Sequence, residues 1–183
     1  ISATATYMQR HAGHADSAVM QECAREIGQE TRRISSHVRQ MLSQLKPYGL
    51  QDTDTTQALR ELVSSWQARL PDLGLAAHLS PLPRLTEDAA LALYRSLQEA
   101  LTNCVRHSQA KRVQVACSAQ YDEVVLVVAD DGVGRASALA QSPGHGLAGL
   151  RERLRRVGGH LRIEDNPTGG IVLSARVPFQ ERP

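Results

Sequence analysis

A chain of 183 residues with 42% hydrophobic content has room for one ordinary domain plus a small extra element, and enough apolar side chains to bury a core. Its 21 Lys+Arg against 19 Asp+Glu leave a formal charge of +2, and only 3% of residues are aromatic, so neither the basic footprint nor the stacking platforms of a nucleic-acid binder stand out. Cys23, Cys104 and Cys117 are odd in number and widely spaced, which excludes a disulfide framework and metal-ligand spacing and fits a reducing cytosolic setting; no apolar run approaches the ~20 residues of a bilayer span.

The chain opens at Ile1 in a helix-like pattern over 1–11, which reads as a piece cut from a longer protein. Gly13, followed by Asp16 and Ser17 as candidate N-caps, marks a short turn. From Met20 to Leu45 the apolar residues Met20, Cys23, Ile27, Ile34, Val38, Met41 and Leu45 fall at steps of three, four or seven, a heptad-like seam. The second helix stops near Lys46-Pro47-Tyr48-Gly49, where proline lacks the donor and glycine permits the exit. Residues 1–47 therefore read as a helical hairpin too narrow to bury its own seam. A two-fold partner is the expected solution, with packing onto its own C-terminal domain as the competing one.

Beyond Pro47 the pattern alternates between helix and strand. Thr55 to Leu70 is amphipathic through Leu59, Leu62, Val63, Trp66 and Leu70, and Leu75 to Leu79 suits a short strand. Thr86-Glu87-Asp88 supplies a cap and two acids at the positive end of a long helix running to about His107. Val113, Val115 and Cys117 alternate as in a half-buried strand, Glu123 to Ala129 is a continuous apolar strand, and Gln120-Tyr121-Asp122 joins the two as a hairpin. Gly146 to Val157 is helical with Leu147, Leu150, Leu154 and Val157 on one stripe, and strands follow at His160 to Glu164 and Gly170 to Val177. The expected class is α+β: the hairpin, then over residues 50–180 an α/β sandwich with helices on one face of a mixed sheet.

Three segments carry chemistry. On the long helix, Glu99 and Asn103 lie four apart, with Arg106 and His107 seven and eight beyond Glu99, all opposite an apolar stripe of Leu93, Leu97, Ala100 and Cys104. A carboxylate and an amide oxygen at that spacing suit Mg²⁺ or its waters, and Arg106 brings positive charge toward a phosphate. Taken alone, the same four residues make an ordinary solvated helix face. The second segment, VADDGVG, places Asp130 to accept from an exocyclic amine such as that of adenine, while Gly132 and Gly134 let backbone approach a ring; a plain turn has the same composition. The third, Gly144-His145-Gly146-Leu147, leads into a helix whose free N–H groups favour phosphate, and is equally a glycine-rich entry loop. It is not a P-loop, and DDGVG lacks the third glycine of a dinucleotide fingerprint.

In this order EALTNCVRH, VADDGVG and GHGLAGLRERLRRVGG resemble the N, G1 and G2 boxes of the ATPase superfamily shared by gyrase, the heat-shock chaperone of the same fold and sensor histidine kinases. The downstream GLAGLRERLRRVGGHLRI is similar to the nitrate-sensor and hexose-phosphate-sensor branch, and VRQMLSQLKP to the end of that branch's dimerisation helix. The resemblance implies a Bergerat-type ATP-binding domain over 50–180. Asn103 would then hold Mg²⁺ with Glu99 in its water shell, both as catalytic residues, and Asp130 would read adenine. Arg106, His107, Gly132, Gly134, Gly144, His145, Gly146 and Leu147 would line the nucleotide. It further implies ATP and Mg²⁺ as cofactors, a homodimer, and a response-regulator receiver domain as partner. The setting would be cytoplasmic, in a protein tied to the bacterial inner membrane only through upstream regions.

Two departures mark the chain. The threonine that the family carries before its final strand is Ile171 here, with Thr168 as a substitute from a shifted loop. The family's phosphoacceptor is a His followed by an acid, whereas His11, His14 and His37 are followed by Ala12, Ala15 and Val38. The acceptor is therefore expected upstream of Ile1. These departures keep an alternative open, a catalytically inert dimeric nucleotide-binding or scaffold module. A serine-directed kinase of the superfamily is disfavoured by the heptad hairpin.

Overall fold

A computed structural model describes residues 21–31, 54–141 and 145–179. By packing, the chain divides into two compact units, Ile1–Lys46 and Pro47–Pro183. In the first, residues 21–31 are helical with Cys23 and Ile27 half-buried. The remainder of the expected hairpin, including His11, His14, His37 and the seam from Ile34 to Leu45, lies outside the described residues.

The second unit begins with α1 (Thr55–Arg69), whose first turn is capped by Asp54, Oδ1 accepting from the Thr56 N–H at 3.0 Å. β1 (Gly74–Leu79) follows, then α2 (Glu87–Asn103). The expected cap is present: Thr86 Oγ1 accepts from the Ala89 N–H at 3.3 Å, with Glu87 and Asp88 in the first turn. α2 does not run on to His107 as an α-helix. Cys104–Ser108 forms a single π-helical turn, and Gln109 closes it with a left-handed backbone. β2 (Arg112–Gln120) and β3 (Glu123–Asp130) make the expected hairpin, with Gln120 opposite Glu123. A short α3 (Ala136–Gln141), not foreseen in the sequence, precedes α4 (His145–Arg156), β4 (His160–Asp165) and β5 (Ile171–Pro178).

The sheet runs β1-β2-β3-β5-β4, with β1 parallel to β2 and every other pairing antiparallel. Helices α1, α2 and α4 cover one face, as the mixed-sheet sandwich requires. Period-two alternation sends Val113, Val115 and Cys117 of β2, with Leu173, Ala175 and Val177 of β5, inward against Leu93, Leu97 and Leu101 of α2 and Leu150 and Leu154 of α4. Arg112, Gln114 and Ala116 point the other way and stay exposed. Two α1 side chains reach across to the outer strand: Gln67 Nε2 donates to the Leu75 carbonyl at 2.8 Å and an Arg60 guanidinium N–H to that of Leu79 at 3.1 Å. No described helix is long and apolar enough to cross a membrane.

Candidate functional site

The apolar stripe of α2 is buried as its spacing requires, and this fixes the opposite side of the helix. Leu93 and Leu97 are fully buried, with Ala100 and Cys104 nearly so. Glu99 and Asn103, four residues apart, are half-buried on the remaining surface. Arg106 and His107 are exposed and stand in the π turn. The extra residue in that turn breaks the α-helical spacing from which their common face with Glu99 was reasoned. The residue types Cys-Val-Arg-His-Ser do not announce such a turn.

The VADDGVG segment docks on the end of this helix. The Val133 N–H donates to the Ser108 carbonyl at 2.8 Å. A Cβ at Gly132 would collide with that same carbonyl, its carbon lying 2.7 Å away, so only glycine fits. Asp130 is buried, 6% exposed, at the end of β3. Its Oδ1 accepts from the Gly132 N–H at 2.9 Å, its Oδ2 lies 3.8 Å from Cys104 Sγ, and its carbonyl accepts from Asn166 Nδ2 at 2.8 Å. Gly170, at φ +81°, closes over it, a Cβ there reaching the Asp130 carbonyl and carboxylate and approaching the Gly132 nitrogen to 2.6 Å. Gly170 thus belongs to the turn before β5 and not to the strand itself.

Asp131 has a different task. Its Oδ1 accepts from the Lys111 and Arg112 N–H groups, both at 2.8 Å, which holds its carboxyl below the usual carboxylate range, the Arg112 N–H first among the causes. It fastens the start of β2 to the end of β3. Sequence reasoning missed Asp131, Ser108, Asn166 and the role of Gly170, because each partner lies many residues away in the chain; a consecutive Gly169-Gly170 before a strand was the only local hint.

On the other side of α2, Gly146 in the first turn of α4 faces Glu99. An added Cβ would strike Glu99 Oε1, with Cδ at 2.8 Å. Burial, with Arg156 nearby, pushes the half-buried Arg153 guanidinium below its ordinary range, and the Glu99 charge opposes this. Leu147 is buried in the core, so its side chain packs and only its backbone is free to serve a ligand. His145 opens α4, and Gly144 lies outside the described residues. Gly134 meets Ile171: a Cβ there would be 2.6 Å from Ile171 Cδ1. Asp130 and Gly132 thus meet the C-terminal end of α2 and its π turn, Gly146 meets Glu99 on the same helix, and Gly134 packs on β5.

Among the described residues no three His, Cys, Asp or Glu side chains cluster in a manner able to cage a metal. One carboxylate and one amide oxygen, Glu99 and Asn103, instead match a magnesium ion that keeps much of its coordination for waters and phosphate oxygens.

Residues 88–181 match the family model for the histidine kinase-, DNA gyrase B-, and HSP90-like ATPase. The chain is 32% identical over 167 residues to the signal transduction histidine-protein kinase/phosphatase UhpB of Salmonella typhimurium, covering 90% of this chain and 32% of that protein. To the sensor histidine kinase DesK of Bacillus subtilis it is 33% identical over 165 residues, covering 86% of this chain and 41% of the relative. It thus spans a third to two-fifths of these relatives' length. Among solved structures, the ATP binding domain of PrrB from Mycobacterium tuberculosis superposes with a TM-score of 0.58 at 24% identity, over 70% of this chain and 96% of that one, a likeness of fold.

Proposed function

The chain belongs to the histidine kinase-, DNA gyrase B- and HSP90-like ATPase family, in its sensor-histidine-kinase branch, and from that premise we propose that it is the kinase core of a two-component sensor. In this reading residues 1–47 dimerise and residues 50–180 bind ATP. The γ-phosphoryl group passes to a histidine elsewhere in the full-length protein, and from there to an aspartate of a response regulator. The protein acts on the cytoplasmic side.

The observation that carries the reading is the docking of the Asp130 loop on the end of the helix that holds Glu99 and Asn103. That junction brings a buried hydrogen-bond acceptor to the end of the helix whose sequence carries two hard oxygen ligands. Asp130 accepts from the 6-amino group of adenine, and Gly132 and Gly134 let its loop pack closely on Ser108 and Ile171. Asn103 offers its amide oxygen to magnesium and Glu99 orients a water of its shell. Arg106 and His107, both exposed, face the phosphates together with the N–H groups at the start of α4, from His145 through Leu147. Magnesium supplies charge neutralisation on the phosphate oxygens. What the chain contributes is positioning, the main lever in phosphoryl transfer, where little covalent work falls to the protein.

Calorimetric titration with ATP, with and without Mg²⁺, tests this directly. Asn103→Ala is expected to abolish the Mg²⁺-dependent part of binding, and unchanged affinity would remove the metal assignment. For the dimer, Ile34→Asp with Val38→Asp should yield a monomer that still binds nucleotide; a wild-type chain that scatters light as a monomer at high micromolar concentration refutes that half. One observation favours a second reading, an inert dimeric scaffold. Ile171 packs its side chain against Gly134, at the position where the family resemblance implies a threonine. Absence of any nucleotide heat would select it.

A further inference from the structure

Cys104 follows Asn103 directly and opens the π turn, with its side chain buried. An aspartate's terminal torsion is broad and roughly two-fold, so one hydrogen bond does not settle the plane of a carboxylate. At Asp130 the Gly132 N–H takes one oxygen at 2.9 Å and the Cys104 sulfur stands 3.8 Å from the other. The Cys104 thiol is the donor to that second oxygen. Gly170 packs over the carboxylate, and Asn166 holds the carbonyl of the same residue. A carboxylate has about four acceptor positions. With one spent on each oxygen, the others are left in a fixed plane.

We infer that Cys104 is a positioning residue for nucleobase recognition, its thiol setting the plane of the Asp130 carboxylate so that a remaining lone pair meets the exocyclic amine of a purine. The inference rests on the reading of Asp130 as the base acceptor. It also joins the two ends of the site, because Cys104 and Asn103 are consecutive on one backbone.

The test compares MgATP with Mg-tripolyphosphate, which has no base, by calorimetry on the full chain. Cys104→Ala, and Cys104→Val to keep the space filled, should each weaken MgATP about three- to tenfold, the loss of one weak hydrogen bond to a charged acceptor, and leave tripolyphosphate within about twofold. Cys104→Ser, which keeps a donor, should recover MgATP affinity to within about twofold of the wild type. Three results overturn the role: equal losses for both ligands, no recovery in the serine variant, or full MgATP affinity in the alanine and valine variants while Asp130→Asn has lost it. Full MgATP affinity in Asp130→Asn would instead overturn the reading of Asp130 itself.

Discussion

Gly132 and Gly146 flank the same helix, and a methyl group added at either would collide with a neighbour, but the neighbours differ in kind. At Gly132 the obstacle is the backbone carbonyl of Ser108, which is tied to Val133 and cannot withdraw without unmaking the loop. At Gly146 it is the carboxylate of Glu99, the far end of a half-buried side chain with other rotamers open to it. The proposed base end of the site is therefore built into the fold, through hydrogen bonds among Asp130, Gly132, Ser108, Val133 and Asn166. The proposed phosphate end rests on side chains that a ligand can rearrange. In the proposed function, rigidity then lies where a ring must be told from other rings, and compliance where charge has to be followed through a reaction.

The strongest way to break this contrast is Gly132→Ala. Overpacking against fixed backbone should cost about 3 kcal/mol of stability, read by urea unfolding. Asp130→Asn comes next. Losing a charge-assisted acceptor, worth ~1.5–3 kcal/mol, should weaken ATP roughly ten- to a hundredfold in calorimetry. An equal loss for GTP would make Asp130 structural. Gly146→Ala should leave unfolding within about 1 kcal/mol of the wild type, helped by alanine's helix preference, while displacing Glu99 and weakening MgATP a few fold. If it destabilised the chain as much as Gly132→Ala does, the two ends would be equally rigid and the distinction would fall.

The smallest effect concerns Asp131. Its folded-state carboxyl is held below its unfolded value, so its contribution is present above the ordinary carboxylate range and is lost as pH falls through the folded value. Asp131→Asn should accordingly be less stable than the wild type at neutral pH, and the gap should close in strong acid. A gap that persists in acid would mean that the side chain's shape, and not its charge, holds Lys111 and Arg112.

Much of this architecture was legible from local pattern. The stripe Leu93, Leu97, Ala100, Cys104, the Thr86 cap and the Gln120-Tyr121-Asp122 hairpin follow from periodicity and side-chain chemistry within a few residues, and the structure realises all three. The π turn was not legible, since Cys104–Ser108 has the composition of an ordinary helix end and is shaped by the loop docked on it. The clasp of Asp131 on Arg112, 19 residues back, and of Asn166 on Asp130, 36 residues back, depends on strands brought side by side. Such pairs carry no signature at either partner. The candidate site was thus readable as a set of residues, while the division between its rigid and compliant ends was not.

The reach of α1 over the outer strand has a consequence for how the domain behaves among its own copies. In a parallel pair every second residue turns its amide and carbonyl away from the neighbour, and in β1 these include Leu75 and Leu79. Their carbonyls would offer a landing place for a foreign strand. Gln67 and Arg60 occupy them, and at the opposite border β4 carries the Arg162 and Glu164 pair. Two of the outward carbonyls of β1 are thus already taken and the β4 border carries charge, both of which hinder aggregation through strand addition when the domain is crowded. Cutting α1 short would reopen one border, and the first symptom would be loss of solubility before any loss of nucleotide affinity.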